Sequence, residues 1–535
     1  MIKIWRPADL KQKIFKDSMG LLIGLSLLKL FIHLFTNAFA SYGLFRDEFY
    51  YIACSKRLAL GYVDQPPLSI YLLRLSRLLF GDSLFAVRLI PAFAGAITVF
   101  LTGLIVRKLG GRKGAVVIAG LSLIFSPIHL GMSTYYSMNS LDALLWVLAA
   151  YLLVLIVKNS SPAIASNAWR LSAGNRALWI SLGIVLGLGL LNKVGMLWFG
   201  FGLFLGLILT PNRKYLSTKW PWICGGLAFF IFSPFMLWNL THDLAHIEFI
   251  RSASALKYSG LTRLDFVFGQ IILHNPVSLP VWLAGVYFFL FRKEGKAFRI
   301  LGFIYVVAFL ILLVNRTSKA EYLSPAYPML FAAGAVLIEN LGNRRYWRWL
   351  KSALPSLIIV SGLLLAPFAL PILPVKTFIK YSHSLGILPP SSEGKKLAEL
   401  PQFFADMFGW ENMAETVARV YHSLPRNEQP KTIIFAANYG EAGSLEYYTK
   451  KYQLPRVISP HNNYWLWGYG RDDLETVIII GGKKEDYLGF FSQVEQAAVI
   501  HCDYCMPYEN NLPLYVCRGP KGKISEIWGS LKHFE

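Results

Sequence analysis

The segment Phe45-Arg46-Asp47-Glu48-Phe49-Tyr50-Tyr51 sets two adjacent carboxylates among aromatic side chains, directly after an apolar stretch. An acid at the edge of hydrocarbon is costly unless it faces water or a partner, so it is a functional candidate by default. A second acid, Asp142, follows Tyr135-Tyr136-Ser137-Met138-Asn139-Ser140-Leu141 and opens another apolar stretch. Cations and imidazoles recur further on. Lys193 sits in Asn192-Lys193-Val194-Gly195; Arg251, Lys257 and Arg263 are interspersed with His242, His246 and His274; Arg316 and Lys319 precede Tyr322. Carboxylates suit removal of a proton from a hydroxyl, and cations suit a phosphate whose charge grows during reaction. Plainer roles compete. Asp47 can pair with Arg46 or Arg88, Asp142 and Ser140 can cap a helix N-terminus, and the basic side chains can simply snorkel to an interface.

The elements that carry these residues are membrane helices. The chain has 535 residues, of which 55% are hydrophobic and 16% charged, and its mean hydropathy is +0.44. That composition describes a polytopic α-helical membrane protein. With roughly 20 apolar residues per span, about eleven spans are expected before residue 376, centred near 30, 93, 122, 149, 184, 202, 230, 284, 306, 331 and 362. Those near 184 and 202 are separated only by Asn192 to Gly195 and read as a short helical hairpin. Basic clusters fall on alternate loops: Lys11 to Lys16, Arg107 to Lys113, Arg170 to Arg176, Arg213 to Lys219, Arg292 to Arg299 and Arg344 to Lys351. By the positive-inside rule the N-terminus is cytoplasmic, and an odd number of crossings leaves residues 376–535 outside. The first span is expected to anchor the chain. Loop one carries Arg46, Lys56, Arg57, Arg74 and Arg77 on the outer side, which fits amphipathic helices lying along the membrane.

The net charge of +22 is unevenly spread: residues from 376 onward hold 17 Lys and Arg against 18 Asp and Glu, the remainder 36 against 13. A basic membrane part and a neutral tail fit lipid and topology, and no nucleic-acid partner is expected. In the tail, Thr432 to Ala437, Arg456 to Ile458, Thr476 to Ile480, Ala497 to His501 and Leu514 to Cys517 are β-rich runs. Ser444 to Tyr452 and Glu485 to Gln496 read as helices between them. Two domains follow: 1–375, multi-span, and 376–535, an extracytoplasmic α/β domain with a mixed sheet. Gly386 to Gln402, with Pro389-Pro390 and Ser391-Ser392, reads as the approach between them. Among Cys502, Cys505 and Cys517 a structural disulfide is favoured over a zinc site.

Taken in order, Arg46-Asp47-Glu48-Phe49-Tyr50-Tyr51, Gly61-Tyr62-Val63-Asp64-Gln65-Pro66-Pro67-Leu68, Leu191-Asn192-Lys193, Trp238-Asn239 and Lys319-Ala320-Glu321-Tyr322-Leu323-Ser324-Pro325-Ala326-Tyr327-Pro328 resemble the bacterial GT-C glycosyltransferases of the family 39 type. These relatives are similar to protein O-mannosyltransferases and to the aminoarabinose transferases of lipid A. The tail segments Ala437-Asn438-Tyr439-Gly440-Glu441-Ala442-Gly443 and His461-Asn462-Asn463-Tyr464-Trp465 look like a subset of that family.

The resemblance implies sugar transfer from a polyprenyl-phosphate donor to a lipid, glycan or protein acceptor on the outer face of the cell (inner) membrane. The family's catalytic acid maps to Asp47, and the second-loop acid to Asp142 with a different spacing. A phosphate monoester, with a relevant pKa of about 6, leaves without a general acid, so one carboxylate and a set of cations suffice for an inverting displacement. Neighbouring helical residues face different ways, which makes Asp47 the expected base and Glu48 its support. Lys193, Lys319, Tyr322, Arg251 and His274 are the expected substrate-binding residues. No cofactor is assigned, and metal dependence stays open: Asp47, Glu48 and histidines can hold a divalent cation, but no HExxH-like spacing is present. The alternative class is a lipid or lipid-linked sugar flippase, for which internal repeats are expected.

Overall fold

The computed structural model describes residues 7–159, 173–258, 260–387 and 396–535. Residues 170–172 of one basic cluster and 388–395 of the expected approach segment lie outside the described residues. The chain divides into two compact units, each built from three separate stretches. One comprises residues 1–39, 87–237 and 261–372; the other comprises 40–86, 238–260 and 373–535.

Every expected span centre falls in a helix, but the helices are not equally long. Among the described residues seven are long and apolar enough to cross a membrane: Met19–Phe39, Leu84–Lys108, Met138–Asn159, Gly174–Asn192, Trp220–Thr241, Lys296–Val314 and Arg345–Phe368. An eighth crossing is a pair bent by 89°, Arg263–Ile272 with Pro276–Phe291. Lys113–Ile124 and Met196–Leu209 are apolar but have 12 and 14 residues. At 1.5 Å per residue these reach about 18–21 Å, short of a ~30 Å hydrocarbon core. Against about eleven expected spans, the described residues hold seven or eight long enough to cross, with the remaining apolar runs as shorter helices; of the hairpin expected to be short near 184 and 202, only the second helix is.

Close helix contact in the first unit rests on residues without side chains. A Cβ on Gly334, in Tyr327–Gly342, would lie 1.8 Å from the Val281 carbonyl oxygen, and one on Gly285 would lie 2.1 Å from that of Leu330. Backbones meet directly across this crossing, as small residues allow in membranes.

In the second unit a five-stranded mixed sheet runs in the order β2-β1-β3-β5-β4: β1 Thr432–Phe435, β2 Val457–Ile458, β3 Thr476–Ile480, β4 Phe491–Ile500 and β5 Leu512–Pro520. β1 pairs parallel with β2 and β3, whereas β5 is antiparallel to β3 and β4. Ile433, Ile458, Val477, Ile479, Val494 and Cys517 form its core, with Trp528. The expected helix from Glu485 to Gln496 is corrected here. Only Lys484–Tyr487 is helical; Phe491 onward is strand, paired along its length with β5. β4 is an edge strand and mostly exposed, so it lacks the apolar alternation that would have marked it.

The expected disulfide is also corrected, since all five cysteines are free thiols. Cys517 is buried in β5 opposite Val477 and Val494. Cys502 and Cys505 face each other in a turn instead, where the Cys505 N–H donates to Cys502 Sγ at 3.1 Å.

The first loop forms two helices, joined through the Pro66-Pro67 turn. Leu68–Phe80 has the expected exposed apolar face, with Leu75, Leu78, Leu79 and Phe80 in the open. Arg46–Lys56 does not lie along a surface: Glu48 through Ser55 are all buried. It packs against Tyr439–Tyr452, where a Cβ on Gly443 would sit 3.0 Å from the Phe49 carbonyl carbon.

Gly334→Ala should lower the detergent-solubilised protein's unfolding temperature, at a cost of about 1–3 kcal/mol for the forced backbone shift. Gly200→Ala, where nothing lies within 4 Å of the new methyl, serves as the control. Equal midpoints for both would show that the 285/334 crossing is not tightly packed.

Candidate active site

Asp47 stands at the start of the buried Arg46–Lys56 helix, and its setting explains why it is held and yet open. The Arg46 N–H donates to the Asp406 carbonyl at 2.9 Å, which fixes the helix start. Glu48 Oε2 accepts the Phe45 N–H at 2.8 Å, satisfying one of the orphan donors of a helix N-terminus. Glu48 is 0% exposed and spends that oxygen on the backbone. Asp47 Oδ1 accepts the Tyr439 hydroxyl at 2.9 Å and lies 3.6 Å from Arg46 Nε. Its side chain is 34% exposed, and Oδ2 has no protein hydrogen-bond partner among the described residues. Of the two acids, one is tied into the backbone and the other keeps an oxygen available.

Tyr439 is placed by its own helix start. Asn438 Oδ1 caps Tyr439–Tyr452 by accepting from Gly440 and Glu441 N–H at 2.8 and 3.0 Å, as a helix N-cap does. The ring of Tyr439 lies 4.8 Å from that of Tyr50, and the Arg46 guanidinium sits 5.4 Å from its centroid. Tyr50 carries the motif one step further. Its hydroxyl donates to Asp64 Oδ1 at 2.9 Å and lies 3.0 Å from Asn463 Oδ1, which also accepts the Val63 N–H at 2.7 Å. Two carboxylates, each engaged by a tyrosine, thus flank a pair of rings tilted by 37°.

Asp64 was not among the residues singled out from sequence, although its motif was. Burial pushes its carboxyl up to about 7, against the Tyr50 hydrogen bond that holds it down. Burial likewise pushes the Tyr50 phenol up. On the opposite wall, His246 Nδ1 meets the Val63 carbonyl at 2.9 Å, and burial holds this imidazole below its usual range.

His461 Nδ1 accepts the Tyr439 N–H at 3.4 Å, so its proton rests on Nε2, facing the Glu535 carbonyl at 3.1 Å. Burial keeps that ring neutral. His461, His533 and Glu535 bring ligand atoms within 4.8 Å of one another, which is the reach of a divalent cation. Binding there would require His461 to give up the bond to the Glu535 carbonyl.

In the first unit the structure gathers a different set. Asp142, 2% exposed, sits one turn into Met138–Asn159 with Oδ2 3.9 Å from Lys193 Nζ. Lys193 Nζ donates to Asn139 Oδ1 at 2.8 Å and lies 5.1 Å from the centroid of Tyr322. The turn that presents it is held by Asn192, whose amide donates to the Met138 carbonyl at 2.9 Å. Lys193, Asp142 and Tyr322 therefore belong together. Lys319 lies 4.0 Å from Glu321 in the same unit. His274 is apart from them, fully buried and stacked at 3.5 Å on Tyr327, with Ser126 Oγ 3.4 Å from Nδ1. Arg251 belongs to the second unit, exposed on Ala245–Leu256.

Residues 64–238 match the family model described as dolichyl-phosphate-mannose-protein mannosyltransferase. An uncharacterized protein of Aquifex aeolicus (strain VF5) is 23% identical over 339 residues, 61% of this chain and 62% of the relative, so less than two thirds of that protein is spanned. Among solved structures, ArnT from Cupriavidus metallidurans bound to undecaprenyl phosphate superposes with a TM-score of 0.58 at 13% identity, covering 93% of this chain and 97% of that one. Its apo state gives the same values. The fold is that of the GT-C membrane glycosyltransferases, with the multi-pass helical part and the small sheet domain both included in the match.

A carboxyl raised by burial is neutral in the folded chain at pH values where it would be ionised when unfolded. Its stabilising contribution is complete below the ordinary carboxylate range and is lost as pH rises through about 7. Thermal unfolding followed between pH 5.5 and 8 should show a decline that Asp64→Asn flattens; an unchanged slope would remove Asp64 as its source.

Proposed function

We propose that this chain is a membrane glycosyltransferase that moves a sugar from a polyprenyl-phosphate carrier to a hydroxyl of a lipid, glycan or protein acceptor. The observation that carries this reading is Asp47: a carboxylate held by Tyr439 through one oxygen, with the other unpartnered and open. That is the arrangement a general base needs, because the held oxygen fixes orientation and the free one takes the proton. The bound undecaprenyl phosphate of ArnT supports the choice of carrier.

Glycosyl transfer from a phosphate carrier leaves a group that is already a weak base, so cations replace a general acid. Lys193, steadied by Asn139 and Asp142, and Lys319 are assigned to the carrier phosphate, with Tyr322 beside them as hydroxyl donor and Arg251 as a further cation. Glu48 supports the helix start that presents Asp47. The displacement is written as inverting: Asp47 takes the acceptor proton, the acceptor oxygen attacks the anomeric carbon and the carbon–oxygen bond to the phosphate breaks. In this reading the N-terminus is cytoplasmic, residues 1–375 form the multi-span part, and 376–535 lie outside the membrane. The enzyme resides in the cell membrane.

Asp47→Asn in purified full-length protein should slow transfer from a labelled polyprenyl-phosphate sugar by about 10²–10⁴-fold, while carrier binding stays within a few-fold of wild type. Turnover at the wild-type rate would sink the assignment of Asp47 as base. Release of polyprenyl phosphate by the wild-type protein tests the reaction class itself, since a flippase releases none.

A further inference from the structure

The second unit holds an open cleft of about 210 Å³ that the reading above does not use. Its walls come from the turn after Arg46–Lys56, from Tyr439–Tyr452, from the start of β2 and from the turn after the short helix Asn463–Leu466. Leu454, Pro455 and Val457 make one side apolar. The other side is an ordered stack: the Arg57 guanidinium lies 4.3 Å from the Trp467 ring centroid, and Tyr464 meets the same indole at 4.7 Å with its plane turned by 70°. Glu446 ties this wall together. Its carboxylate accepts from Arg57 Nη1 at 3.0 and 3.1 Å, from Tyr464 hydroxyl at 3.0 Å and from Lys56 Nζ at 3.2 Å.

The charge in this cleft does not balance. Lys56 and Arg57 share the single Glu446 carboxylate. Arg456, beside the Trp467 turn, is exposed and reaches only backbone carbonyls through Nη2, those of Trp467 at 3.4 Å and Gly468 at 3.3 Å. Among the described residues no carboxylate comes within ion-pair distance of it. Its Nε and Nη1 carry no hydrogen bond among the described residues. The turn holds this guanidinium closely: Gly470 has a φ of +96°, and a Cβ there would lie 2.9–3.0 Å from Arg456 Cζ, Nε and Nη1.

A planar, uncompensated guanidinium recognises phosphate or carboxylate bidentately. An indole and apolar side chains beside it suit the C–H face of a pyranose, and Thr449 offers a partner for a sugar hydroxyl. We propose that this cleft binds a sugar bearing an anionic group, phosphate or carboxylate, with Arg456 on the anion and the Trp467 wall against the ring. The role of that sugar as part of the acceptor rests on the glycosyl-transfer reading; the binding itself does not.

The test uses the full-length protein in detergent, without carrier, titrated calorimetrically with glucose 1-phosphate, glucuronate, glucose and inorganic phosphate. Glucose 1-phosphate or glucuronate should bind at least tenfold more tightly than glucose and inorganic phosphate, and Arg456→Gln should remove that advantage while Arg456→Lys keeps part of it. Whichever of the two acidic sugars binds more tightly identifies the anion. Equal binding of inorganic phosphate and glucose 1-phosphate would reduce the cleft to a general anion site and overturn the proposal. So would equal binding of glucose, or an Arg456→Gln variant that binds like wild type. Because no transfer is measured, loss of binding with intact turnover condemns the cleft alone, and intact binding with an indifferent Asp47→Asn variant condemns the transfer reading alone.

Discussion

Burial of the Arg46–Lys56 helix on nearly all its faces is the constraint from which the candidate site follows. Phe49, Tyr50, Tyr51 and Ile52 leave water together with Glu48, so the helix cannot rotate without exposing apolar surface on one side or an acid on the other. Gly443, like Gly440 against Arg46, lacks a side chain that would hold the partner helix away. Asp47 is left at the rim by this arrangement, and Tyr439 reaches it because the Asn438 cap starts its helix at the right residue. A base with one fixed and one open oxygen is a consequence of packing before it is a consequence of chemistry.

Electrostatics follow from the same burial. Asp64 and Tyr50 share a hydrogen bond in a place that disfavours the charge of either, whereas Lys193 and Asp142 meet as opposite charges near a helix start. The two arrangements differ in what they permit. A carboxyl poised near neutrality can hold or yield a proton, and an ion pair steadies a cation without removing its charge.

Hydropathy made the membrane helices legible, because about twenty apolar residues leave little else to do in water. It said little about length: the turn from Asn192 to Gly195 marked Met196–Leu209 as short, but Lys113–Ile124 read as a full span. In the tail, β1 and β3 were visible as buried apolar runs, yet β4 was hidden: Gln493, Glu495 and Gln496 suit a helix, and only pairing with β5 overrides them. The Asp47–Glu48 pair stood out by composition. Asp64 did not, since its meaning depends on Tyr50 and on Asn463, some 400 residues away in the chain. The cleft of Arg57 and Arg456 was illegible for the same reason: neither residue is unusual until Trp467 and Glu446 are beside it.

Both compact units are assembled from pieces interleaved along the chain, and this has a consequence for the order in which the protein is made. Residues 40–86 emerge early, but the stretch that buries them begins only at residue 373. At roughly 5–20 residues per second of synthesis, the aromatic face of the Arg46–Lys56 helix must wait on the order of 15–60 seconds for its partner. During that interval Phe49, Tyr50 and Tyr51 are unshielded beside a growing set of membrane helices. The candidate site therefore forms only after the stretch from residue 373 has been made, late in the synthesis of the residues that build it.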